Sequence, residues 1–403
     1  MRHRFSSVVI LLAASLSISA EAPYIPTDFS GTDPDGLVVH EWGTFTSVAA
    51  EDGTAVDWVP QQGPRDLPCF VDRVQFNIKG WLPARVRMET PVLYFYSSDE
   101  QAVDVRVRFP QGIITEWYPR AEVAPTRIEM MTLRNPGLVG TIAWNQVRVL
   151  PRAAEDYPVE SGANHYYAAR KTDASPLEIR TEVGNAVDGQ REKFLFYRGI
   201  GNFPLPLMAT ISAEGQVVVS TSNGQPVGDL MLFENTGGTT GYQALRSAKQ
   251  TVTLDRPAAP RVPTPSVHSA LERMLVAQGL YQKEAAAMVD TWRDSWFEEG
   301  LRLFYIVPRS AVDEILPLEI NPLPASVARV FVGRIELITP SVVDEVKEAV
   351  LRRDRGVLVK HARFLRPIVA RVLASSTAAE AVAIERNLSA AYASVAPLAG
   401  ACK

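Results

Sequence analysis

The sequence predicts an α+β protein: an N-terminal antiparallel β-sandwich followed by a mainly helical region with a few strands. Three observations carry that reading. Val103, Val105, Val107 and Phe109 alternate with Asp104, Arg106 and Arg108, which is the period of a strand with one buried and one wet face. Residues 256–265 (RPAAPRVPTP) hold four prolines in ten positions, a linker composition. Beyond it the apolar spacing shifts to threes and fours, as in Val342, Val346, Ala349 and Val350, the period of an amphipathic helix.

The elements follow in order. Residues 23–36 are rich in Pro, Gly and Asp and read as an exposed lead-in. From Leu37 to about Leu254, strands are expected at 37–48, 85–96, 103–109, 113–118, 126–133, 139–150, 165–170, 177–182, 193–198, 207–212, 216–221 and 229–234. Asp52-Gly53, Asp188-Gly189, Glu214-Gly215 and Asn223-Gly224 supply hairpin turns between them. After the linker, Thr264-Pro265 caps a helix closed by Gly279, and a second helix over 281–299 ends at Gly300. Strands are expected at 301–308 and 327–338. Thr339-Pro340 opens a long helix that Pro367 interrupts, and a last helix runs from 368 to 395. The division is therefore 1–22 signal peptide, 23–36 lead-in, 37–255 β-sandwich domain, 256–265 linker and 266–403 helical α/β region.

Arg2, His3 and Arg4 precede an apolar run from Val8 to Ala20, and Ala20-Glu21-Ala22 has a small-x-small form. That is the layout of a secretory signal peptide, too short to span a bilayer. A secreted or periplasmic protein with no transmembrane span after cleavage is expected. Cleavage at Ala20 leaves 39 basic against 45 acidic residues, a mildly acidic balance that excludes nucleic acid as the main partner. Only Cys69 and Cys402 are present, too few for a disulfide framework. They could oxidise outside the cytoplasm, but an unpaired, buried Cys69 is the simpler expectation.

No nucleophile elbow, phosphate loop or His-Glu-x-x-His motif occurs, and the glycine-rich stretch 236–241 (TGGTTG) reads as a loop. The candidates are polar residues among apolar neighbours. On a strand, His40 shares a face with Val38 and Trp42, while Glu41 shares the other with Val39 and Phe45. Glu89 precedes Thr90-Pro91, where a bend or bulge is expected, with Arg87 as its ion-pair partner. Glu116 lies beside Trp117 and Tyr118. Glu41, Glu89 and Glu116, with Trp42, Trp117 and Tyr118, could line a sugar-binding cleft or supply the acid and base of a glycoside hydrolase. A divalent metal held by His40 and His165 is a second possibility without a supporting motif. Glu299 sits on the Trp292 side of its helix, at an end where the dipole disfavours anions. An arginine such as Arg309 or Arg334 is its expected partner, and a ligand its other reading.

The segments 40–46 (HEWGTFT), 88–96 (METPVLYFY), 115–119 (TEWYP), 194–199 (FLFYRG) and 292–300 (WRDSWFEEG) resemble those of a group of uncharacterised secreted bacterial proteins. The resemblance implies a bacterial exported protein and carries no activity. The function expected is binding of a ligand or envelope component, a glycan among the candidates, through the β domain. The alternative is an extracytoplasmic hydrolase, carboxylate-based or metal-assisted.

Overall fold

The computed structural model describes residues 36–60, 67–74, 82–129, 132–161, 164–183, 186–257 and 263–395. The signal-peptide region, Cys402 and part of the proline-rich linker lie outside the described residues. The chain is mixed α/β, with sheets mainly in its N-terminal part and helices near the C-terminus.

The strands are β1 (Val38–Val48), β2 (Asp72–Arg73), β3 (Val86–Tyr96), β4 (Gln101–Pro110), β5 (Gly112–Tyr118), β6 (Glu122–Ala124), β7 (Val139–Val149), β8 (Leu177–Val183), β9 (Ala186–Glu192), β10 (Leu195–Gly201), β11 (Leu207–Ile211), β12 (Val217–Thr221), β13 (Gly228–Thr236), β14 (Thr239–Ser247), β15 (Thr251–Leu254), β16 (Gly300–Val307), β17 (Leu318–Asn321) and β18 (Ser326–Leu337). The helices are α1 (Thr264–Val276), α2 (Gln282–Trp296), α3 (Arg309–Ile315), α4 (Pro340–Arg352), α5 (Arg355–Lys360), α6 (Leu365–Ser375) and α7 (Ala378–Val395).

A nine-stranded sheet with the order β14-β13-β16-β18-β1-β3-β10-β5-β2 organises the molecule. Its centre is a parallel pair, β1 beside β18, running from Val38↔Ser326 to Val48↔Glu336. The expected architecture is corrected here in two respects. The main sheet is mixed rather than antiparallel. The linker at 256–265 does not separate a β domain from a helical one, because β16 and β18 follow it and lie inside the same sheet as β1 and β13. The physical reason is the run Val330-Phe331-Val332, which is buried on both faces and needs a central position covered on both sides. Gly333, within the same strand, leaves the room in which the Tyr305 ring lies; a Cβ there would stand 2.1 Å from that ring.

Two smaller sheets, β11-β12-β15 and β17-β4-β7-β8-β9 with β6 on β7, accompany the large one. On one face of the large sheet, Val39, Phe45, Phe95, Tyr197 and Phe331 form a core with Val105 and Val107 of β4 and Val217 and Val219 of β12. On the opposite face Trp42, Tyr94, Tyr96, Phe196 and Phe304 pack against Leu271 and Leu275 of α1 and Met288, Trp292 and Trp296 of α2. Sheet packing is thus confined to one side, and helices cover the other. A third core joins Val48, Trp58 and Ile338 to α4, α6 and α7.

Several local expectations change. Residues 165–170 form 3-10 turns, begun by Asn164, whose side-chain oxygen accepts the Tyr166 N–H at 2.8 Å. The region expected as strand 126–133 instead has a 3-10 turn at Thr132–Arg134, and the pairing lies earlier, in β6. The long helix after Thr339 is divided at Arg353, which adopts φ 58°. Strands β2, β9, β14, β15 and β17 and helix α3 have no counterpart in the expected elements, and Asp188-Gly189, expected as a turn, lies within β9. The 236–241 stretch is a hairpin turn, with Gly237 and Gly238 at positive φ. Cys69 is exposed and disulfide-bonded, not buried and free; the only other cysteine in the chain is Cys402.

Candidate functional site

The parity of β1 separates His40 from Glu41. On the helix-covered face, His40 Nδ1 lies 2.8 Å from a Glu284 carboxylate oxygen, and the Tyr96 hydroxyl donates to the other at 2.8 Å. Glu284 also accepts the Tyr281 N–H at 2.7 Å, so one buried carboxylate both caps α2 and anchors it to the sheet. On the opposite face Glu41 is fully buried, ion-paired to Arg329 and hydrogen-bonded by the Tyr197 hydroxyl. Arg329 continues to Asp313 of α3 at 2.7 Å.

Beyond the apolar part of the helix-covered face runs a layer of buried charge. Arg302 of β16 pairs with Glu336 of β18 at 2.9 Å, and Arg334 reaches the same glutamate at 2.6 Å. Glu89 of β3 accepts the Thr46 hydroxyl at 2.7 Å and lies 3.4 Å from Arg87 and 3.2 Å from Arg363. Burial raises the Glu89 carboxyl, but Arg87, Arg363 and Arg334 overcome it and hold the group below the ordinary glutamate value. Burial opposes ionisation of Glu336 in the same way, and Arg302 and Arg334 hold it low as well. Arg198 of β10 donates to the Thr90 hydroxyl at 3.3 Å, and its register partner on β5 is Glu116.

Thr90 is the strained point of this layer. It is buried with φ 47°, a conformation costly for a β-branched residue. The register shifts beside it on both neighbours, between Trp42 and Thr44 and between Phe196 and Gly199. The irregularity lets Pro91, which has no N–H, sit within a central strand.

The C-terminus of α2 is satisfied from the same layer. Arg302 donates to the carbonyls of Trp296 (2.8 Å) and Glu299 (3.0 Å), and also to that of Glu298. Arg302 of the next strand thus adds a buried cation at this helix end, beyond Arg293 in the last turn itself. Glu298 pairs with Arg334 at 3.0 Å, whereas Glu299 pairs with Lys360 rather than Arg309 or Arg334.

The sequence-predicted residues therefore do not assemble one cleft. Glu41 faces away from Glu89. Trp42 is fully buried, Tyr118 is buried beside Phe70, and Trp117 packs at the edge of the core, so the aromatics present no sugar platform. His165 lies 3.4 Å from Asp294 and His40 beside Glu284, positions ten residues apart on α2 and so about 15 Å apart along its axis. The two histidines do not share a site, and among the described residues no cluster of three or more His, Cys, Asp or Glu is arranged to hold a metal ion. Glu89 and Glu299 are held in ion pairs, whereas the Glu116 carboxylate accepts the Thr115 hydroxyl, with Arg198 as its register partner.

A larger concavity lies elsewhere among the described residues. A groove of about 740 Å³ opens between the segment after β1 and the C-terminal helices. Val56, Trp58 and Val59 line one wall; Pro367, Val369, Ala370 and Leu373 of α6, with Tyr392 of α7, line the other. A second cavity of about 430 Å³ adjoins it and shares Ala50, Glu51, Ile338 and Arg371. Arg371 crosses the junction, donating to the carbonyls of Ile338 and Ala49 at 2.8 Å each. Sequence reasoning missed this groove. Its one local signal is Ala370 and Ala374, small residues four apart that stay exposed on α6.

No protein-family model and no curated protein matches the chain. Among solved structures, it is similar to a yeast delta-COP-I mu-homology domain complexed with a Dsl1 WxWxV peptide. That similarity has 9% identity and a TM-score of 0.27, covering 75% of this chain and 97% of that one.

Proposed function

We propose that the protein is an exported, secreted or periplasmic, bacterial ligand-binding protein, and that it binds in the groove between the β1 end and helices α6 and α7. The groove is the observation that carries this reading: its volume falls in the range of small-molecule sites, and its lining is mainly apolar with a few polar groups. The basic start and apolar run of residues 1–22 support export, as does the disulfide at Cys69. A hydrolase built on the candidate carboxylates has less support. Glu41 and Glu89 lie on opposite faces of the sheet, each already held by arginines. The apolar lining favours an apolar ligand over a glycan.

The test is titration with the neutral apolar fluorophore N-phenyl-1-naphthylamine. Ala370 is exposed in the groove, so Ala370→Trp fills it without disturbing the core. Saturable emission with the wild type and its loss in Ala370→Trp, at an unchanged melting temperature, is expected. Equal binding by both proteins contradicts the reading.

A further inference from the structure

Of the charged groups lining the groove, most are already engaged. Arg371 is committed to two carbonyls, with Glu51 as its electrostatic partner. Asp57 pairs with Arg85 at 3.2 Å, and Asp52 accepts from the Thr54 N–H and hydroxyl at 2.9 and 2.7 Å. Arg366 differs. Its guanidinium stacks on the Tyr392 ring at 4.6 Å, its Nε is buried without a hydrogen-bond partner, and no carboxylate pairs with it among the described residues. With Nε covered, the terminal nitrogens of Arg366, held over the ring, are the donors a carboxylate in the groove can accept from.

Resting on the groove reading above, we infer that the ligand is an amphipathic monocarboxylate, with its acid on Arg366 and its alkyl chain along the apolar wall. The wall beside Arg366 is Pro367, Ala370 and Leu373. The adjoining cavity shares Ala50, Glu51, Ile338 and Arg371 with the groove, so the two together offer room for an extended chain. An unpaired, partly buried guanidinium gains a charge-assisted bond when a carboxylate arrives. A neutral hydroxyl head of the same length accepts only one uncharged hydrogen bond from it.

The experiment displaces N-phenyl-1-naphthylamine with n-dodecanoate or n-dodecanol, using wild type, Arg366→Met and Arg366→Lys. Wild type is expected to prefer dodecanoate by about tenfold or more. Arg366→Met should lose that preference while keeping its affinity for dodecanol, which also reports an intact groove. Arg366→Lys should retain part of the preference, because it keeps the charge and loses the fork. If the fluorophore binds but both compounds displace it equally from wild type, the carboxylate assignment is overturned and the groove stands. If Arg366→Met keeps the preference, Arg366 is not the recognising residue and the assignment falls. If the fluorophore does not bind at all, the groove reading fails and this inference with it.

Discussion

Replacing Glu89 by glutamine removes one of the buried anions of the charged layer. Glu89 is fully buried and faces Thr46, Arg87 and Arg363. The amide keeps the shape but withdraws the charge and turns donors toward donors. Removing one partner of a buried pair costs about 3–5 kcal/mol. Arg363 keeps 17% side-chain exposure and regains some hydration, so the lower end, about 3 kcal/mol, applies. At about 2.1 cal/mol/K per residue, the 403-residue chain has an unfolding entropy near 850 cal/mol/K, so the melting temperature falls by about 4 °C. The effect depends on pH with a definite sign. The folded carboxyl is held below its ordinary value of 4.5, so its contribution is complete above that pH and is lost as pH drops through the folded value. Scanning calorimetry should find the gap between wild type and Glu89→Gln near 4 °C at pH 7 and narrowing below pH 4.5. A gap under 1 °C at pH 7, or one that persists undiminished to pH 3, refutes the reasoning.

Thr90→Gly should be more stable than Thr90→Ala by about 1 kcal/mol, since both lose the hydroxyl but only glycine relieves the positive φ; urea denaturation compares them. His40→Ala and Glu284→Gln should each lower stability by about 1–3 kcal/mol by leaving buried partners unsatisfied, and equally so with or without dodecanoate; a loss of binding without a loss of stability would contradict the structural role. Intact mass of the exported protein should show cleavage near Ala20 or Ala22, and a retained Met1–Ala20 segment contradicts export with processing.

Period-two patterning located most strands, because alternation is a local consequence of the pleat. β1 and β3 begin and end within a residue of their expected bounds. The same parity put His40 and Glu41 among apolar neighbours on opposite faces. Their partners were out of reach of such reasoning: Glu284, Tyr197 and Arg329 lie 244, 156 and 288 positions away. The parallel pairing of β1 with β18 is equally non-local, and without it the proline-rich stretch reads as a domain boundary. Residues 165–170 carry aromatics suited to a strand, but Asn164, a good cap, starts 3-10 turns there instead. The groove joins a loop near residue 50 to helices more than 300 positions later, each of which is unexceptional alone.

The most direct test of the groove as the binding site is hydrogen exchange of the wild-type protein with and without N-phenyl-1-naphthylamine. The account predicts slower exchange in α6 and in the segment from Ala50 to Val59, with the central strands β1, β3 and β18 unchanged. Protection confined to other elements, or none at saturating probe, would contradict it.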